Sequence, residues 1–190
     1  MKKLLALILV LVMGLSLVAC GGNANTEKPA VDAPASALEV LETIWAGYGE
    51  DDKFAVMGGN PEGGVMDAPA VWDAEYLLDL SYSLQMTEAD MENVADAATM
   101  IHMMNSNNFT GAVVNLKEGV DKAGFAATAK DAIQNARWMC GFPEKLIVAD
   151  MGGQYLLIAF GINDAMDPFE AKLTEAYPNA SVLYNEAIAG

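Results

Sequence analysis

Three features of the sequence predict an α+β fold. Strand-like runs rich in β-branched and apolar residues stand at 108–117, 145–151, 154–161 and 181–188. Two amphipathic stretches with helical spacing, 121–140 and 163–177, lie between them. The paired glycines Gly152-Gly153 join the two middle runs as a hairpin. The resulting order over residues 108–190 is β-α-β-β-α-β, the split arrangement of ferredoxin-like domains. It predicts a four-stranded antiparallel sheet with both helices on one face, preceded by a helical and loop segment over 37–107. The run at 154–161 is apolar at successive positions, as in a central strand buried on both faces. The second face is then expected to be covered by the N-terminal helices or by a second copy in a homodimer.

The elements follow in order. Lys2 and Lys3 precede an apolar run over residues 4–18, too short for a membrane span and ending in small residues. Residues 1–19 therefore read as a secretory signal peptide. The Leu17-Val18-Ala19-Cys20 ending resembles the lipobox of bacterial lipoproteins. That resemblance implies cleavage before Cys20 and attachment of a diacylglycerol to its sulfur. Two acyl chains at one residue meet the requirement for stable anchoring, which a single chain does not. Residues 20–36 read as the lipidated cysteine and a solvated tether, since Gly, Asn, Pro and Ala there cannot build a core. Residues 37–190 make one domain.

The charge is strongly negative: 10 basic residues stand against 26 acidic ones, for a formal −16. The loss of Lys2 and Lys3 deepens it. Such a balance argues against binding nucleic acid and against lying on anionic lipid. It fits a body held off an extracytoplasmic membrane face by its tether.

Within the domain, Leu38, Leu41, Ile44, Trp45 and Tyr48 fall at helical spacing, with Ser36 as N-cap and Gly49 as stop. Residues 50–69, rich in Gly, Asp and Pro, read as loop. Residues 72–86 read as helical near their start. Thr87 and Asp90 form a capping-box pattern that opens a helix through Met104. The 121–140 helix takes Asp121 as N-cap. The 163–177 helix starts at an Asp164 cap, or at an Asp167 cap with Pro168 in the first turn.

Few residues offer chemistry. Met100, Met103 and Met104 share a face if helical, and thioethers suit a soft metal such as Cu(I); core filling is the plainer role. His102 is the sole histidine and has no nucleophile motif beside it. Asp51 and Asp52 offer carboxylates in a loop without calcium-loop spacing. No metal ligand set, cofactor motif or catalytic residue is assigned. The segment Arg137-Trp-Met-Cys-Gly-Phe-Pro143 has the look of a Trp-Cys-Gly-x-Cys redox motif. Its cysteine, however, ends the stripe Phe125, Ala129, Ile133, Ala136 and Cys140, one face of a helix. Gly141 and Pro143 then stop that helix. The expectation is a buried, inert Cys140; an extracytoplasmic enzyme using Cys140 or the loop carboxylates is the alternative.

The lipobox, the stretch Met103-Met-Asn-Ser-Asn-Asn-Phe-Thr-Gly-Ala-Val-Val-Asn-Leu-Lys-Glu-Gly119 and the 145–161 hairpin with its following helix are similar to a family of small lipoproteins of unknown function from Gram-positive bacteria. The resemblance covers about the last hundred residues and implies surface anchoring. It brings no catalytic residues. The function expected is a membrane-anchored, non-enzymatic binding or accessory module.

Overall fold

A computed structural model describes residues 32–189. The signal segment, Cys20 and most of the tether lie outside the described residues. The fold is α+β and built on one antiparallel sheet of eight strands. In chain order the strands are β1 Val56–Gly58, β2 Val65–Met66, β3 Ala70–Trp72, β4 Val94–His102, β5 Phe109–Leu116, β6 Lys145–Asp150, β7 Tyr155–Gly161 and β8 Ser181–Ala187. The helices are α1 Ala37–Ala46, a 3₁₀ helix Ala74–Asp79, α2 Leu80–Leu84, α3 Glu88–Met91, α4 Lys122–Gln134 and α5 Asn163–Ala176. Among the described residues no helix is long and apolar enough to cross a membrane.

The sheet order is β2-β1-β4-β5-β7-β6-β8, and β3 pairs with β4 beside β1. The four expected strands are all present, with β5 and β7 central. Gly152 and Gly153 take φ of 93° and 53° at the β6–β7 turn, a conformation closed to most other residues. The ferredoxin-like arrangement itself is not what forms. In that arrangement the last strand pairs with the first. Here β8 pairs with β6 instead, and the free edge of β5 is taken by β4.

One consequence is the placement of the helices. The β5-α4-β6 and β7-α5-β8 crossovers travel in the same direction along the sheet, but β5 and β7 point in opposite senses. Two crossovers of the same hand then put their helices on opposite faces. The hydrophobic layers show this outcome. Phe169, Met166 and Leu173 of α5 pack with Leu41 and Ile44 of α1 over Val113, Ile147 and Leu157. Phe125, Ala129 and Ile133 of α4 pack with Leu80, Leu84 and Met91 over Val114, Val148 and Ile158. The expectation of both long helices on one face is therefore corrected. The face left for a partner subunit is filled by α1 and α5 of the same chain. Every described element and both layers lie within residues 37–188.

The other corrections have local causes. The capping box at Thr87 and Asp90 is present, but α3 stops after one turn. The Asn93 carboxamide bonds the Ala89 and Asp90 carbonyls, and the chain turns into β4 where a helix was expected. β4 has apolar residues on both faces, so its pattern lacks the alternation that marks a half-buried strand. The 50–69 loop carries the short β1–β2 hairpin, and residues 72–86 begin as 3₁₀ and end as α2. The α5 helix starts at Asn163 with Ile162 at the N-cap, ahead of both proposed caps, Asp164 and Asp167, so that Pro168 lies inside the helix. Its first N–H is met from a distance by the Glu144 carboxylate at 2.8 Å. Ser36 caps α1 as expected, accepting from Glu39 N.

The α4 helix ends at Gln134, six residues short of the predicted 140. Its 13 residues span about 20 Å at ~1.5 Å each. The six residues of β6 span about the same at ~3.3 Å each. A helix to residue 140 would run well past β6, the strand the chain next enters at Lys145. The Asn135 carboxamide instead takes the Asp131 carbonyl at 2.7 Å, and Trp138 folds back to lie 5.2 Å from the Phe160 ring. Residues 135–144 thereby form an irregular strap in which Arg137, Met139, Cys140 and Phe142 are exposed and Pro143 is buried.

Candidate functional site

The strap carries Cys140, which is exposed, not buried as its place on the helical stripe predicted. Its backbone is left-handed, at φ 62°. The strap is tied to the β4–β5 loop by two asparagines. Asn105 Nδ2 donates to the Cys140 carbonyl at 2.5 Å, and Asn107 Nδ2 donates to the Met139 and Gly141 carbonyls at 2.9 and 3.0 Å. Among the described residues no hydrogen bond joins the thiol to His102 or to a carboxylate. Asp51 and Asp52 are exposed in the turn after α1.

His102 ends β4. Its ring stacks on Phe54 at 6.0 Å, and its Nδ1 accepts from the backbone N–H groups of Met104 and Asn105 at 3.2 and 3.3 Å. The proton is then on Nε2. Strand neighbours point to opposite faces, and His102 lies opposite Val56 of the α1/α5 layer. The imidazole thus folds the 103–105 turn. Met100 is fully buried in the same layer, whereas Met103 and Met104 stand exposed on the turn. The structure does not bring the three thioethers together. Among the described residues no group of three or more His, Cys, Asp or Glu could hold a metal ion.

A concave surface lies at this strand end. One cavity of about 400 Å³ is lined by Met57, Ile101, Met103 and Met104, with Gly59, His102, Asn105 and Ser106. A second, of about 280 Å³, is lined by Asn60, Glu62, Tyr76, Asp79 and Tyr82. Pro61, Trp72 and Ser83 line both, so the two are halves of one groove. Its walls are the β1–β2 hairpin, the 3₁₀–α2 segment and the β4–β5 loop.

Each wall has a local reason. Met57 and Ile101 are direct cross-strand partners and point the same way. Trp72 pairs with Ala97 of β4, and its Nε1 donates to the Tyr76 carbonyl at 2.7 Å, which fixes the indole at the groove floor. Asp73 caps the 3₁₀ helix through Glu75 N. Thr99 is buried, and its hydroxyl bonds both the N–H and the carbonyl of Gly59, tying the hairpin to the sheet.

The groove is polarised. Glu62 accepts from the Tyr76 hydroxyl at 3.3 Å. The charge of Glu62, its hydrogen bond, slight burial and the charges of Asp73 and Asp79 together raise the Tyr76 pKa above the ordinary tyrosine value. No Lys or Arg lines either cavity. The Asn60 residue is only 4% exposed, and no hydrogen bond is formed by its carboxamide among the described residues.

Met103, Met104 and His102 stood out in the sequence, as metal or catalytic candidates; Trp72, Tyr76, Asp79, Tyr82 and Ser83 did not. The available signal is the spacing of Trp72, Tyr76, Asp79 and Ser83, steps of 4, 3 and 4 that put aromatic and polar groups where a helix would carry aliphatic ones. No family model, curated protein or solved structure matches the chain.

Proposed function

We propose that this chain is a lipid-anchored, extracytoplasmic binding module that takes its ligand in the groove floored by Trp72. The observation that carries the reading is the pair of joined cavities with apolar walls and a few convergent polar groups, the usual form of a small-ligand site. Its position supports it. The chain enters the described structure beside the β6–β7 turn, where Ala33 lies so close to Gly153 that a Cβ there would stand 2.9 Å from the Ala33 Cβ. The groove begins at Ile101, at the opposite end of the strands. With a diacylglycerol on Cys20, that geometry turns the mouth away from the lipid surface. The negative charge of the chain acts in the same direction, by repulsion from anionic lipid.

The test is a methyl NMR titration of the body over residues 21–190 with hexanol, using methionines labelled at the ε-carbon. Shifts are expected at Met57, Met103 and Met104, and none at Met100, Met151 and Met166, which are buried in the α1/α5 layer. Shifts spread evenly over all methionines, or absent at the first three, refute the groove.

A further inference from the structure

Resting on that reading, we propose that the ligand is a small organic cation with an apolar arm: an ammonium group held between Glu62, Asp79 and the rings of Tyr76 and Tyr82, and a chain lying along Met57, Ile101, Met103 and Met104. Aromatic faces attract cations through their quadrupoles, and carboxylates beside them add a full charge. The smaller cavity offers three aromatic side chains, two carboxylates and no basic group. An anionic ligand would meet only repulsion there. A neutral one would gain nothing from the charge of the two carboxylates. The buried Asn60 carboxamide and the Ser83 hydroxyl sit at this same end and suit a polar group next to the ammonium. The larger cavity has no carboxylate, lysine or arginine in its lining, and its Met57, Met103, Met104 and Ile101 side chains accept alkyl chains of varied shape, because methionine side chains adapt.

The structure also argues that the site's charge is local. Five of the lysines, Lys53, Lys122, Lys130, Lys145 and Lys172, sit in ion pairs away from the groove. Glu62 and Asp79 are in no ion pair among the described residues.

Three six-carbon probes decide it: hexyltrimethylammonium, hexanol and hexanoate, titrated calorimetrically into the 21–190 body at low and moderate salt. The cation is expected to bind roughly tenfold or more tighter than hexanol, and hexanoate weakest. Glu62→Gln with Asp79→Asn should reduce the preference for the cation over hexanol to under about threefold. Both side chains are exposed, so an unchanged melting curve checks that the variant folds. A control pair on the far turn, Glu50→Gln with Asp51→Asn, should keep the preference. Hexanol bound as tightly as the cation overturns the cation assignment while the groove survives. A preference that persists in the Glu62/Asp79 variant, or falls equally in the control pair, assigns the effect to net charge and overturns it too. Failure of all three probes to bind refutes the groove and the cation site together.

Discussion

Replacing Cys140 with glycine should stabilise the protein. The residue sits exposed at φ 62° in a strap whose carbonyls at 139, 140 and 141 are held by Asn105 and Asn107. A left-handed backbone costs a residue with a Cβ roughly 1–2 kcal/mol, which glycine does not pay. Against this stands the extra chain entropy glycine loses on folding, about 0.5–1 kcal/mol. The exposed side chain contributes little burial to lose. The net gain is about 0.5–1 kcal/mol, or roughly 1–4 °C in melting temperature for a chain of this size. A series sharpens the test. The stability order should be glycine above asparagine, then alanine level with cysteine, then valine lowest by about 1–2 kcal/mol because it is β-branched. Urea unfolding of the 21–190 body measures it. The helical stripe expected from sequence predicts the reverse, with glycine the worst. Valine equal to cysteine, or glycine destabilising by 1 kcal/mol or more, would refute the strap geometry.

Other expectations are as direct. The native thiol of Cys140 should react with an alkylating probe within a few-fold of its rate in the unfolded chain, since it is exposed; strong protection in the folded state would contradict that placement. Cys20→Ala should leave the protein unprocessed or outside the membrane fraction, and a mutant processed and membrane-bound like the wild type would disprove lipidation there. Lys145 lies between Asp167 and Glu170, whose hydrogen bonds, the largest causes, raise its pKa above 10.5. A raised lysine pKa means stability that is complete below the unfolded value and fades as pH climbs through the folded one. Unfolding free energy should therefore drop above about pH 10.5, and Lys145→Met should flatten that drop; an identical alkaline profile in the variant would remove the pair from the account.

What could be read from the sequence follows from physics that acts locally. The runs at 109–116, 145–150 and 155–161 are dense in β-branched and large apolar residues, and the glycine pair between the last two fits only a tight turn. Ser36 and Thr87 announce helix starts that are there. Misreading begins where tertiary packing decides. Val94, Ala97, Ala98 and Ile101 fit a helical stripe, yet they are a strand buried from both sides, which has no period of its own. That strand in turn takes the edge of β5 and sends β8 to β6. A single misread element thus changed the topology and the face of α5. The groove was hidden for a similar reason. Its walls come from residues 57–62, 72–83 and 101–106, which only the pairing of β1 and β3 with β4 brings together. Of the residue types that draw attention in a sequence, His102 lines the larger cavity while its Nδ1 shapes the 103–105 turn, and Cys140 lies outside the groove.

That dependence on pairing can be tested at one position. Gly58 is in β1, and a Cβ built on it would stand 2.2 Å from the Ala70 nitrogen and 2.4 Å from the Ala68 oxygen and the Pro69 carbonyl carbon. All three are backbone atoms, so no side chain can swing aside. Gly58→Ala must push residues 68–70 away, and these lead directly through β3 into Trp72. The loss should be about 1–3 kcal/mol, the usual range for overpacking. Most of the sheet should be spared, because β5, β6, β7 and β8 make no pairing with β1. Gly119→Ala serves as the comparison. Its φ is 83°, but nothing lies within 4 Å of the added carbon, so it should cost only the backbone strain. If the groove depends on the β1–β3 contact, Gly58→Ala abolishes the hexanol-induced shifts of Met57, Met103 and Met104, and Gly119→Ala preserves them. Wild-type shifts in Gly58→Ala would mean that the groove does not depend on this contact.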